Sequence, residues 1–150
     1  MHNRMMFPKK KWIRQQPISE IRKQILKLDR VFSQFIRLRD ANRQGICFCI
    51  TCGKTFHWKD GDAGHFVQRD RYATRYDERN VHAQCKYCNR FRSGEQSIHG
   101  MQIDKKYGEG TAAQLITISK IKGCKLDLRW VDIKLSYYKK KVKELKGVLV

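Results

Sequence analysis

At 150 residues and 41% hydrophobic content the chain is long enough for one compact domain with a modest core, and its formal net charge of +19 makes a polyanion its natural partner. No stretch approaches 18 consecutive apolar residues, and the opening Met1–Lys11 lacks the apolar centre of a signal peptide, which argues against a membrane protein and for the cytoplasm. In such a reducing compartment six cysteines favour metal binding over disulfides.

Residues 1–16 carry Lys9, Lys10 and Lys11 with little periodicity and are expected to form a flexible basic arm; 17–150 is read as a single zinc-stapled domain. From Ile18 the apolar residues Ile21, Ile25, Leu28, Phe32, Phe35 and Leu38 recur at helical spacing, predicting an amphipathic helix to about Asn42, ended by Gly45. Its stripe fits either core packing or a homodimer contact. Residues 46–88 hold short β-prone pieces broken by glycines, with strands expected near 64–68 and 80–84. A helix is expected to begin at Asn89 and continue through about Arg92 or further, another over 96–106 ending at Gly108, and a short one over 112–120 capped by Thr111. Last, Leu128, Val131, Leu135, Tyr138, Val142 and Leu145 share one face of a helix over 128–146 whose other face carries Lys139, Lys140, Lys141 and Lys143. The charge is uneven: residues 1–43 sum to +9, 44–117 to +3 and 118–150 to +7. Basic flanks therefore bracket a nearly balanced centre, the catalytic core expected over about 46–96.

Two CxxC pairs, Cys49/Cys52 and Cys85/Cys88, have the spacing of two zinc knuckles that hold one structural Zn²⁺ per chain. Cys47 or His57 is the alternative to Cys49. The 32 residues between the pairs exceed a simple zinc ribbon, and they contain Asp62, His65 and Asn80. Asn89 directly follows Cys88, so a zinc clamp would also fix a possible ligand. Phosphodiester hydrolysis needs an activated water and neutralised phosphate charge. Asp62 and Asn89 offer hard oxygens for Mg²⁺ or Mn²⁺, and neutral His65 offers a base. Asn80 is read as the residue whose amide holds the loop that orients His65. Arg69, Arg71 and Arg75 suit phosphate contacts, with Tyr72 and Tyr76 placed to stack on bases. His82 is read as packing or as support behind the site residues, His57 and His99 as surface residues.

The strings Cys49-Ile-Thr-Cys52, Asp62-Ala-Gly-His65-Phe66, Tyr76-Asp-Glu-Arg-Asn80-Val-His-Ala-Gln-Cys85 and Cys88-Asn-Arg-Phe-Arg-Ser-Gly94 resemble the phage NinG/Rap recombination endonuclease family, within the His-Me finger (HNH-like) nucleases. The resemblance implies an α+β fold with a ββα-metal core and a zinc clamp between basic helices. It implies metal-dependent cleavage of branched DNA such as Holliday junctions and D-loops. The arrangement is also similar to phage endonuclease VII, in which an Asp three residues before the base and an Asn after a CxxC hold the metal, the pattern of Asp62, His65 and Asn89. Asn89 stands where the commoner HNH form ends in His, and Gly64 where a metal-binding residue often precedes the base. The rival readings are a non-catalytic zinc module that binds nucleic acid and an HNH nuclease acting on linear duplex.

Overall fold

A computed structural model describes residues 19–150; the expected basic arm over 1–16 lies outside the described residues. Helix α1 (Glu20–Arg39) is followed by a hairpin of β1 (Ile46–Phe48) and β2 (Thr55–His57), a second antiparallel pair β3 (Asp62–His65) and β4 (Val81–Gln84), and a π-helical turn over Tyr87–Phe91. Helices α2 (Gln96–Tyr107), α3 (Thr111–Ser119) and α4 (Leu128–Gly147) complete the chain. This is a mixed α+β architecture with two small sheets. No helix among the described residues is long and apolar enough to cross a membrane.

The two long helices pack on each other because their stripes are complementary: Phe32 and Phe35 of α1 each place a ring centroid 4.9 Å from that of Tyr138, among buried Leu28, Ile36, Val131 and Leu135. The α1 stripe assigned to core or dimer contact is thus buried within the chain from Leu28 to Leu38. β3 and β4 lie against this core through Val81 and Ala83, and the Asp40 carboxylate at the end of α1 accepts from the Ala83 amide at 2.8 Å. That bond ties the helix to the sheet that carries the site.

Within the second pair, Asp62 faces Gln84 and His65 faces Val81. Gly64 lies opposite His82, and a Cβ there would collide with the fully buried Gln84 side chain. Glycine is therefore required beside the candidate base. The helix expected to continue from Asn89 is instead one wide turn, closed by three consecutive positive φ angles at Ser93 (50°), Gly94 (79°) and Glu95 (49°) before α2 begins. Gly94 donates to the Cys88 carbonyl at 2.9 Å, so the chain leaves the second knuckle by doubling back rather than by extending a helix.

Candidate metal centre and adjoining cavity

The Sγ atoms of Cys49, Cys52, Cys85 and Cys88 all lie within 4.8 Å of one another. Four thiolates about 2.3 Å from a tetrahedral zinc stand about 3.8 Å apart, and Cys52 and Cys85 are separated by 3.8 Å. The donor set and spacing fit one Zn²⁺. Burial alone would raise the Cys49 thiol's pKa, but hydrogen bonds from the backbone of Cys52, the Thr51 hydroxyl and the Cys85 amide overcome it and hold it down. Such a thiolate is a ready ligand. Neither alternative to Cys49 takes part: the Cys47 thiol donates to the Arg37 carbonyl at 3.1 Å, and His57 Nδ1 accepts from the Lys59 amide. Burial pushes Cys47 up to about 11. Cys124 is exposed.

The wide turn carries Cys88 into this cluster and Asn89 out of it, toward β3. The Asn89 side-chain amide donates to Asp62 Oδ2 at 3.0 Å, and the Arg90 guanidinium grips the same carboxylate through two bonds of 2.7 and 2.8 Å. Although its partial burial opposes ionisation, these donors hold Asp62 below the usual carboxylate range. Asp62, His65, Asn89 and Arg90 line a cavity of about 510 Å³ together with Gln68 and Arg69. Residues separated by 27 positions in sequence therefore share one wall. Arg90 and Gln68 lack a sequence pattern of their own; Arg90's signal was only its place next to Asn89.

His65 sits at the end of β3 with Nε2 3.0 Å from the Arg75 carbonyl. A carbonyl only accepts, so Nε2 carries the hydrogen and Nδ1 is left as the basic nitrogen. Burial, which outweighs the Arg75 carbonyl and is joined by the cations of Arg69 and Arg75, lowers the imidazole to about 4. His65 is consequently neutral at pH 7. Asn80, fully buried, accepts from the Val67 amide at 2.7 Å and donates to the carbonyls of Val67 (2.9 Å) and Thr74 (3.0 Å). Its three bonds close the 67–74 loop and set the Arg75 carbonyl that faces His65.

The basic residues part company. Arg69 lines the cavity, whereas Arg71 lines a separate depression with Ser119–Cys124. Arg75 departs from the expected phosphate role, because its fork is taken by Asp29, with the Nε bond at 3.0 Å, and Nη1 by the Arg69 carbonyl. Tyr76 is likewise buried and donates to Asp29 at 2.7 Å, so it offers no stacking face; Tyr72 is exposed. Lys139 and Lys140 are exposed on α4, while Lys141 pairs with Glu144 at 3.2 Å. His99 corrects the surface expectation: it is fully buried, 3.2 Å from His82, whose other nitrogen meets the Tyr107 hydroxyl at 3.1 Å.

Residues 6–147 match the family described as Bacteriophage Lambda NinG protein. Proteins named ninG from Escherichia phage 933W and from Escherichia phage lambda are 36% and 34% identical over 76 residues, half of this chain and 35% of theirs. The ninG protein of Salmonella phage P22 is 36% identical over 75 residues, 49% of this chain and 34% of its own. The matched stretch thus spans about a third of those relatives' length. No solved structure matches. With a family match that runs nearly end to end, the chain belongs to the NinG family.

Proposed function

We propose that this chain is a metal-dependent DNA endonuclease that hydrolyses phosphodiesters at branched recombination intermediates, Holliday junctions and D-loops among them, in the cytoplasm of a phage-infected bacterium. The observation that carries the reading is the shared cavity of Asp62, His65 and Asn89, with His65 fixed as the Nε2–H tautomer. Asp62 and Asn89 fit a hard divalent cation: one is ionised, their side chains are 3.0 Å apart, and a half-turn of the Asn89 amide presents its oxygen in place of its nitrogen. Mg²⁺ or Mn²⁺ bound there would neutralise phosphate charge and assist the leaving oxygen. His65 Nδ1 takes the proton of the attacking water, and the Arg75 carbonyl keeps the ring from turning. Arg90 grips the Asp62 carboxylate and so fixes its orientation, and Arg69 adds positive charge at the rim. The cysteine cluster keeps Asn89 opposite Asp62.

The test is incubation of purified protein with Mg²⁺ or Mn²⁺ and matched linear, forked and four-way DNAs. Cleavage of branched substrates is expected, and His65→Ala is expected to lose it by roughly 10²-fold or more while retaining zinc and DNA affinity. Wild-type cleavage by His65→Ala would remove the base. Binding without cleavage by the wild-type protein would favour a non-catalytic zinc module, and cleavage of linear duplex at equal rate would remove the branch preference.

A further inference from the structure

Two large aromatic side chains stand in water on the turn that joins the cysteine cluster to the cavity. Tyr87 is 60% and Phe91 78% exposed, their ring planes lie within 30° of each other, and their centroids are 6.3 Å apart. The core makes no use of them, since the same turn is anchored by buried Cys88. Their support is stiff. Asn89 donates its backbone amide to the Cys85 carbonyl at 3.0 Å and Gly94 to that of Cys88, so both rings project from a segment pinned at each end. Between them lie Asn89 and Arg90, which line the cavity. The seven residues 86–92 contain three cations and no acid; Arg90 is paired with Asp62 and Arg92 with Glu95, while Lys86 is exposed beside Tyr87.

Flat π faces interleaved with cations suit a ligand that is itself flat and anionic. In continuous duplex the base faces are already covered by their neighbours, whereas a base at a branch or gap has a face to spare. A charged strand also suits the local cations better than an apolar protein partner does. We infer that Tyr87 and Phe91 form a stacking platform for an unpaired DNA base beside the cavity, and that this platform gives the protein its preference for branched over continuous duplex. The inference rests on the nucleic-acid reading above, and it assigns a substrate-selecting role to a surface outside the Asp62/His65/Asn89 set.

The experiment measures binding without added divalent cation, using a forked DNA with 2-aminopurine in its unpaired segment and a blunt duplex of equal length. Wild-type protein is expected to quench the probe and to bind the fork more tightly than the duplex. Phe91→Ala with Tyr87→Ala should abolish quenching and weaken fork binding about tenfold or more, as loss of one stacked base does, with duplex affinity and zinc content unchanged. Phe91→Trp should restore quenching. Equal loss on fork and duplex, or no loss on either, overturns the platform; so does a change of the free protein's mass in light scattering with fork affinity intact, which would make the pair a contact between copies. The nuclease reading fails separately: a wild-type protein that quenches but never cleaves keeps the platform and loses the enzyme, whereas unaltered fork binding by the variant of a cleaving protein does the reverse.

Discussion

Three imidazoles crowd the space around β3 and β4, and burial keeps all of them neutral at pH 7: His65 is lowered to about 4, His82 to about 3 and His99 to about 4. Asp40 works against the burial of His82 and His99, and Lys106 works with it at His82. The sign of the effect on stability follows from which state binds protons. Below pH 6.5 the unfolded chain protonates its histidines while the fold refuses them, so stability is fully present above 6.5 and is lost as pH falls toward 4. His99→Gln keeps a hydrogen-bonding amide opposite His82 but cannot be charged; it is expected to recover on the order of 1 kcal/mol of the loss between pH 6.5 and 5, read from urea midpoints at each pH. An identical slope in both proteins would exclude His99 as a source. Acid sensitivity of this kind could not be read from sequence. His99 looked like a surface residue because its partners His82 and Phe66 are 17 and 33 positions away, and only the fold brings them together. Asp62, His65 and Asn89 were legible because short spacings and an adjoining CxxC constrain them locally.

At the scale of elements, periodic apolar stripes made α1 and α4 visible and the stop at Gly108 separated α2 from α3, and the observed bounds of all four differ from the expected ones by a few residues. The turn over Tyr87–Phe91 carries no such stripe. Its shape is dictated by the need to deliver Cys88 to the other three thiols and then reverse at Ser93, Gly94 and Glu95, a constraint expressed in metal geometry rather than in periodicity. The four-cysteine cluster is separate from the α1/α4 core, with Phe56 as its partly buried apolar neighbour. The knuckles are otherwise joined by a few hydrogen bonds, the Ile50 amide to the Ala83 carbonyl at 3.1 Å and the Gln84 side-chain amide to the Thr51 hydroxyl at 3.2 Å among them. One zinc per chain is therefore expected by metal analysis of protein purified without chelators, and because structural zinc contributes on the order of 10 kcal/mol in small domains, Cys88→Ser should lose the metal and unfold or aggregate. Cys47→Ser, which alters a buried thiol outside the cluster, should keep the zinc. Zinc-free wild-type protein with native circular dichroism would exclude the clamp.

At the scale of the whole molecule, charge and stoichiometry matter more than any one contact. One chain offers one Asp62/His65/Asn89 set, so paired cuts across a symmetric junction call for two chains, and we propose that the protein acts there as a homodimer. The α1 stripe that suggested a dimer seam is covered by α4 from Leu28 onward, which leaves the association to be supplied by other surfaces or by the DNA. In that proposal the long-range attraction to DNA would come from the basic flanks, where α4 presents Lys139 and Lys140 to solvent. Lys141 differs from them. Its ammonium is shared with Glu144 and lies 5.9 Å from the Tyr137 ring centroid, so part of its charge is already countered. If both free lysines contact phosphates, each releases a little under one counterion, and replacing Lys139 and Lys140 by Ala should lower the slope of log affinity against log salt by about two. Adding Lys141→Ala should change that slope by less than either of the others. Titrations of one four-way DNA over a range of salt concentrations read both differences directly, and a slope that stays at the wild-type value in the triple variant would move the phosphate-binding surface away from α4.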